Sequence, residues 1–224
     1  MNYRYERKFV IENFSLSKIL SIIKSHPSHF KEIFLKRRVN NIYLDSINTI
    51  NALDNLSGIA KRRKVRVRWY GNTFGAIKNP KLELKKKYGE VGEKKSWELE
   101  PFYLDNNFSQ EFLETVFKKS DNLGYRIKIL APLKVYLLNS YQRLYYSSAD
   151  NNYRITVDYN LNYYKLSLVN NNFSHQFAER NKIILELKYP HNKDDNANII
   201  TNKFPFRLNK FSKYINGLQE LHPF

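Results

Sequence analysis

The sequence predicts an α+β fold: an antiparallel β-barrel with a few helices packed on its outside. Polar and apolar side chains alternate with period two along several segments, which is typical of strands with two unlike faces. Segments with helical spacing of apolar residues are few and short. Hairpin connections are expected between most strands, which favours an antiparallel sheet or a closed barrel.

The predicted elements follow one another without an internal repeat or a long linker, so we expect one domain over residues 1–224. The predicted strands are residues 3–12, 39–45, 59–70, 81–88, the end of 133–147, 153–160 and 182–189. The predicted helices are 16–25 after a Ser15 cap, a turn or short helix up to Ser57, 109–129 after a Ser109 cap with a break near 122–124, and 208–221. The turn at 149–152 predicts a hairpin.

The strand at 59–70 is the most informative segment. Its cations Lys64, Arg66 and Arg68 alternate with β-branched and aromatic residues, and similar alternation recurs on the other strands. An open sheet with one solvated side would explain the pattern. A barrel with its charged face inward explains it better, because the charged positions are mostly long cations with isolated glutamates and helices are available to cover the apolar faces. Such a lumen would have to hold an anion, since unpaired cations are costly to enclose.

The charge of the chain also points to an anionic partner. It carries 38 basic and 21 acidic residues, a formal net charge of +17. Nucleic acid, an acidic membrane surface, nucleotides and inorganic phosphate chains all fit. The absence of cysteine excludes disulfides and thiolate metal sites. No stretch is apolar enough for a signal peptide or a transmembrane helix, so we expect a cytoplasmic location, with any membrane association through a partner.

The residue types of the charged faces suit phosphoryl chemistry. Arginine binds two phosphate oxygens with its planar fork, and lysine acts as a point charge. A carboxylate among them is explained as a ligand of Mg²⁺ or Mn²⁺, whose remaining ligands would be phosphate oxygens. No glycine-rich phosphate-binding motif occurs in the sequence.

Seven short motifs resemble those of VTC domains and occur in the same order. VTC domains are polyphosphate polymerase domains of the triphosphate tunnel metalloenzyme superfamily. The motifs span nearly the whole chain, and together they are more specific than any one of them. They are Glu6–Lys8, Val65–Gly71, Leu82–Lys85, Tyr141–Arg143, Arg154–Asp158, Leu185–Lys188 and Phe211–Tyr214.

The resemblance implies a tunnel barrel and transfer of the γ-phosphate of ATP to a growing polyphosphate chain, with Mn²⁺ or Mg²⁺ as cofactor. ATP and inorganic polyphosphate would be the partners, without stable binding of nucleic acid. It implies that Arg66, Arg68, Lys85 and Arg143 are catalytic and that Glu186 and Glu6 hold the metal. The implied phosphate-binding residues are these four cations together with Lys8, Arg154, Lys188, Lys210 and Lys213, the last two at one tunnel mouth; Lys94 and Lys95 match the family only loosely.

Two alternatives remain open from the sequence. A tunnel triphosphatase would use water as the acceptor, but the hydrolytic branch of the superfamily carries two glutamates in its first strand. Here Arg4 stands where the first would be, and only Glu6 remains. A non-catalytic binder of nucleic acid or polyphosphate would use the same positive charge without a reaction.

Overall fold

The structure, a computed structural model, describes residues 4–89, 91–120, 123–124 and 130–221. The strands in the described part are β1 (Arg4–Glu12), β2 (Lys31–Asp45), β3 (Lys61–Tyr70), β4 (Gly75–Ile77), β5 (Lys81–Tyr88), β6 (Val91–Glu98), β7 (Phe102–Leu104), β8 (Lys134–Ser147), β9 (Arg154–Lys165), β10 (Gln176–Glu179) and β11 (Lys182–Pro190). The α-helices there are α1 (Leu16–Lys24), α2 (Ile50–Leu56), α3 (Gln110–Lys119), α4 (Asp194–Thr201) and α5 (Lys213–Leu221), and a short 3-10 helix at His191–Lys193 precedes α4.

The two predicted helix caps are confirmed. The hydroxyl of Ser15 accepts a hydrogen bond from the backbone N–H of Lys18, and the hydroxyl of Ser109 accepts one from Phe112. The C-terminal helix begins at Lys213, five residues later than predicted. Helix α3 ends at Lys119, and residues 121–122 and 125–129 of the predicted helix lie outside the described part.

The chain divides into two compact units. The first unit comprises Met1–Arg37, Tyr141–Leu161 and Glu179–Phe211, and the second comprises Arg38–Ser140, Asn162–Ala178 and Ser212–Phe224. The strand order is β1-β11-β9-β8-β2 in the first unit and β9-β8-β2-β3-β5-β6 in the second, because β2, β8 and β9 contribute residues to both. The expectation of one domain over the whole chain stays a prediction.

The sheet is antiparallel wherever its register is described, and the α+β class is confirmed. Closure into a barrel is not found. Among the described residues, the hydrogen-bonded order starts at β1 and stops at β6, and β4 and β7 form a separate pair. The prediction of a barrel required the two outermost strands to pair with each other. Alternation along a single strand cannot establish such pairing.

Helices cover the apolar face of the sheet in the first unit. Phe9 of β1 and Leu185 of β11 are fully buried, and Ile19 and Ile23 of α1 pack in the same core. Helix α4 adds Ala197 and Ile200. The alternation of the strands therefore separates this core from a charged face.

The second unit has its own core on the same plan. Val67 and Trp69 of β3 are buried with Leu82 of β5, and Leu113 and Phe117 of α3 pack with them. The predicted covering of apolar strand faces by helices is confirmed in each unit. The charged side chains of β3 and β5 consequently project from the opposite face.

Candidate functional site

The charged face of the second unit is built by register between β3, β5 and β6. Side chains that stand directly opposite one another in an antiparallel sheet lie on the same face. Arg66 pairs with Glu83, which pairs in turn with Ser96. The rows on either side are Lys64–Lys85–Lys94 and Arg68–Lys81–Glu98. Six cations and two carboxylates therefore share this face.

Glu83 is the centre of this face, and we call Arg66, Arg68, Glu83 and Lys94 the Glu83 cluster. Arg66 donates two hydrogen bonds to Glu83 Oε2, from Nε at 2.9 Å and from Nη2 at 2.6 Å. Arg68 Nη1 lies 3.6 Å from the same oxygen, and Lys94 Nζ lies 2.5 Å from Oε1. One buried carboxylate thus faces three cations, which leaves two positive charges in excess.

The cations determine the charge state of Glu83. Burial alone would raise the pKa of this carboxyl, but Arg66, Arg68 and Lys94 lower the pKa to about 2. Burial and the charges of Arg68 and Arg66 lower the pKa of Lys94, and its contact with Glu83 offsets this only in part. The four residues of the Glu83 cluster taken together, with three cations and one carboxylate, carry net positive charge.

Polar side chains fix the orientation of these cations. Arg68 donates from Nε to Asn41 Oδ1 at 2.8 Å, and Asn41 donates to Asn139 Oδ1 at 3.3 Å. Lys64 donates to the hydroxyl of Ser212 at 2.8 Å. Because Asn41 and Asn139 are fully buried, the Arg68 guanidinium is oriented by a rigid part of the unit.

The charged face of the first unit has a different charge balance. The rows across β1, β11 and β9 are Glu6–Lys188–Arg154 and Lys8–Glu186–Thr156. We call Glu6, Lys8, Arg143, Asp158, Glu186 and Lys188 the Glu186 cluster. Its three cations are matched by three carboxylates, so it lacks the excess positive charge of the Glu83 cluster.

Glu186 makes ion pairs with three cations. Its Oε2 lies 2.8 Å from Lys188 Nζ and 3.6 Å from Arg143 Nη2, and its Oε1 lies 3.4 Å from Lys8 Nζ. Lys8 Nζ also lies 2.9 Å from Glu6 Oε1 and donates to the backbone oxygen of Phe211 at 3.0 Å. Burial by itself would lower the pKa of Lys8, but Glu186 and Glu6 raise it, so Lys8 stays charged.

Arg143 is held by a second carboxylate. It donates from Nε and Nη2 to the two oxygens of Asp158, the latter at 2.6 Å, and its guanidinium lies over the Tyr141 ring at 5.2 Å. Asp158 is fully buried. Burial would lower the pKa of Arg143, but Asp158 raises it well above its usual value. The bidentate pair is therefore charged and fixed in orientation.

The carboxylates of the Glu186 cluster fit a divalent cation that takes part of its ligands from a phosphate. Among the described residues, no three histidine, aspartate or glutamate side chains are grouped as a complete ligand set. Mg²⁺, however, is usually bound by one or two carboxylates plus water and phosphate oxygens. Glu6 and Glu186 both contact Lys8, and the buried hydroxyl of Thr156, opposite Glu186 in the register, has no hydrogen-bond partner.

The predicted site residues fall into both units. Lys8, Arg143, Lys188, Glu6 and Glu186 come together in the Glu186 cluster, with Arg154 exposed at the end of one row. Arg66 and Arg68 come together around Glu83, and Lys85 stands in the neighbouring row. These placements agree with the predicted shared faces, while the roles of the residues stay predictions.

Lys210 and Lys213 are not on one helix face. Helix α5 begins at Lys213, which is buried, while Lys210 precedes the helix and is exposed. Lys94 belongs to the charged face. Lys95 points to the other face, opposite Leu84, and pairs with Glu93 at 3.3 Å.

Glu83 and Asp158 were missing from the predicted site. Both stand on the charged face of their strands, so the alternation contained the signal. What the sequence could not give was the cross-strand partner. Arg66 opposite Glu83 follows from the register between β3 and β5, and that register depends on the turn between them.

The sequence matches the VTC domain over residues 3–222. The chain belongs to the VTC domain family. No curated protein sequence matches this VTC domain.

Solved structures resemble this VTC domain along nearly its full length. The PH1819 protein of Pyrococcus horikoshii OT3 has 12% sequence identity and a TM-score of 0.55, and the match covers 97% of this chain and 99% of that one. A putative adenylate cyclase from Vibrio parahaemolyticus has 9% identity and a TM-score of 0.55, covering 96% and 98%. A putative adenylyl cyclase from Hippeastrum, HpAC1, described as having a dominant triphosphatase activity, has 11% identity and a TM-score of 0.52, covering 97% and 95%.

These similarities show the fold of the VTC domain. The match with these structures agrees with a mostly antiparallel sheet and few helices.

Proposed function

We propose that this VTC domain is a polyphosphate polymerase that transfers the γ-phosphate of ATP to the end of an inorganic polyphosphate chain. The observation that carries the proposal is the Glu83 cluster. A phosphate chain is a dense row of negative charge, and this cluster holds two more cations than carboxylates, with Arg66 and Arg68 fixed in orientation. Phosphoryl transfer depends mainly on positioning and on stabilising developing charge.

In the proposed reaction, each arginine donates a pair of N–H groups to phosphate oxygens. Arg66 directs two donors to Glu83 Oε2, and a phosphate would compete with Glu83 for the same donors. Lys94 and Lys85 supply further positive charge on the same face. The terminal phosphate oxygen of the chain attacks the γ-phosphorus, the bond to the β-phosphate oxygen breaks, and ADP leaves.

The Glu186 cluster is the proposed metal-binding part. Glu186 and Glu6 would hold Mn²⁺ or Mg²⁺, with the hydroxyl of Thr156 available beside Glu186. A divalent ion there would neutralise charge on nucleotide phosphate oxygens. Glu186 now pairs with Lys8 and Lys188. If Glu186 bound a metal ion instead, one of these lysines would become available to bind a phosphate.

A triphosphatase is the second candidate. It is favoured by the described activity of HpAC1, which shares the fold. The two proposals share the phosphate-binding residues and differ in the acceptor, a polyphosphate end in one case and water in the other. Two carboxylates, those of Glu6 and Glu186, contact Lys8, and this number of carboxylates is compatible with either acceptor.

The products of ATP turnover separate the candidates. The protein is incubated with ATP and Mn²⁺ with and without a short polyphosphate primer, the Mn²⁺ is removed with a chelating resin, and phosphorus NMR then measures the terminal and internal phosphate signals. Growth of the internal-phosphate signal supports the polymerase. Orthophosphate with ADP and no growth of the internal-phosphate signal supports the triphosphatase.

A further inference from the structure

An exposed apolar stripe runs along α2 in the second unit. Five large aliphatic residues recur at every third position and are between 47% and 73% exposed: Ile47, Ile50, Leu53, Leu56 and Ile59. Isolated exposed aliphatics are ordinary, but here three lie on one short helix and one lies on each flank, which places five exposed aliphatic side chains within residues 47–59. They project from the outside of a helix and its flanks rather than lining a cavity.

The stripe is held in place by the buried carboxylate of Asp45. Asp45 Oδ1 accepts from the N–H of Asn51 and Oδ2 from that of Ala52, both at 2.9 Å, so the carboxylate satisfies the first turn of α2. Oδ2 also accepts from the hydroxyl of Tyr214 at 2.8 Å. Two helices of the unit are therefore anchored on one carboxylate, and the aliphatic residues face outward in a rigid element.

Cations and an aromatic ring stand at the end of the sheet that lies next to α2. In the register of β3 and β5, Lys61 pairs with Tyr88 and Arg63 with Lys86. Arg63 donates to Asn51 of α2 at 2.9 Å, which places this end of the sheet next to the helix. Tyr88 is half exposed. This face is opposite to the one that carries the Glu83 cluster, because Lys61 and Arg63 alternate with Lys64 and Arg66.

We propose that this surface, the α2 stripe with Lys61, Arg63, Lys86 and Tyr88, docks the protein directly on an anionic lipid bilayer. Aliphatic side chains on a helix, next to basic residues and a tyrosine, are the composition of elements that lie in a membrane interface. Anionic headgroups would meet the cations, and the aliphatic tips would enter the acyl boundary.

Charge favours the bilayer over a second copy of the chain. Two copies would bring like-charged rims together on proteins that each carry a formal charge of +17. A protein partner would need an acidic groove shaped to five projecting side chains, whereas a bilayer adapts to them. Among the described residues no helix is long and apolar enough to cross a membrane, and the docking proposed here is at the surface.

Vesicle sedimentation tests the proposal. The full chain is mixed with vesicles of phosphatidylcholine alone or of phosphatidylcholine with phosphatidylglycerol. We expect binding to the anionic vesicles only. The double substitution Leu53→Gln with Leu56→Gln should weaken it by about tenfold or more, since two inserted side chains are lost. Lys61→Gln should weaken it by roughly fivefold, the factor that corresponds to one interfacial cation.

Matched variants keep the result interpretable. Ile199→Gln removes an exposed aliphatic residue of α4, and Lys24→Gln removes an exposed cation of α1, and both should bind vesicles like the wild type. Thermal melts establish that each variant is folded, and turnover of ATP in the absence of lipid should be unchanged by the α2 substitutions.

Three results would overturn the proposal. The first is no binding to anionic vesicles. The second is binding that the Leu53 and Leu56 substitutions leave unchanged, which would mean that general positive charge is responsible. The third is self-association in sedimentation velocity that the same substitutions abolish without any vesicle binding, which would assign the surface to a second copy. None of them depends on the polymerase assignment.

Discussion

Arg66 and Glu83 form a two-bond ion pair at the centre of the second unit's charged face, with both donors of the arginine on one carboxylate oxygen at 2.9 and 2.6 Å. Glu83 is buried, and the same carboxylate also contacts Arg68 and Lys94. In the protein without ligand, Glu83 is therefore the counter-ion of three cations. A bound phosphate would take over part of that role.

Substituting Glu83→Gln should destabilise the protein without ligand. The folded pKa of about 2 lies below the ordinary value of 4.5, so the ionised carboxylate stabilises the fold above pH 4.5, and this contribution is lost as the pH falls towards 2. At pH 7 we expect a loss of roughly 3 kcal/mol in the free energy of unfolding. Urea unfolding at pH 7 and at pH 3 measures it, and the difference between wild type and variant should shrink at the lower pH. A difference that is independent of pH would contradict the assigned ion pairs.

The same substitution should leave polyphosphate binding intact or strengthen it. Glu83 competes with phosphate for Arg66, Arg68 and Lys94, and glutamine removes the competing charge. Isothermal titration of Glu83→Gln with tripolyphosphate checks this at a pH and temperature where the variant is folded. A variant that is folded but no longer binds would show that Glu83 itself is needed for the ligand.

Substituting Arg66→Ala should weaken binding of tripolyphosphate by about 1.5–3 kcal/mol, the range for a hydrogen bond to a charged group. The affinity should fall while the dependence on Mn²⁺ stays as in the wild type. Arg37→Ala, which removes an exposed arginine stacked on Phe34 at 4.8 Å, provides the control and should bind normally. Equal losses in the two variants would mean that net charge alone drives binding.

Substituting Glu186→Gln should reduce Mn²⁺-dependent turnover by orders of magnitude while tripolyphosphate binding is retained. The reason is the loss of a proposed metal ligand beside Glu6. Turnover is measured as a function of Mn²⁺ concentration. Glu179→Gln is the matched control, because Glu179 is also buried and pairs with Lys182 at 2.9 Å outside the cluster. If Glu186→Gln keeps normal Mn²⁺-dependent activity, the carboxylate is structural.

Substituting Asp158→Asn should cost about 3–5 kcal/mol of stability, because it leaves the buried guanidinium of Arg143 without its bidentate partner. Asp194→Asn breaks a more exposed aspartate–arginine pair, with Arg7 at 2.9 Å, and should cost at most about 1 kcal/mol. Chemical unfolding of both variants gives the comparison. Similar losses would show that burial does not set the strength of the Arg143 pair.

The alternating strands of this chain could be predicted well from sequence. Strand β3 was recognised because Lys64, Arg66 and Arg68 alternate with buried apolar residues. The first half of β2, Lys31 to Arg38, was not recognised as a strand, because its residues are exposed on both faces and show no alternation. Strand β6 was missed as well: its glycine and mixed charges look like a loop until β5 is placed beside it.

The sequence predicted which strand face carries the candidate site residues, but not which residues stand opposite one another on neighbouring strands. Alternation placed Glu186 and Lys188 on a charged face, and the register then showed that Glu6 and Lys8 stand opposite them. Whether the sheet closes into a barrel could not be predicted for a related reason. Closure depends on whether the outermost strands pair with each other, and the sequence of a single strand does not specify which strand pairs with it.

The most direct test of the polymerase proposal follows the γ-phosphate of ATP. Wild-type protein is incubated with Mn²⁺, a short polyphosphate primer and ATP labelled at the γ-position, and the products are separated by length on a denaturing gel. The proposal predicts that the label enters chains that lengthen with time, with one ADP formed per phosphate added, and that Arg66→Ala strongly slows this. Label found only in orthophosphate, with a primer of unchanged or decreasing length, would contradict it and identify the protein as a hydrolase.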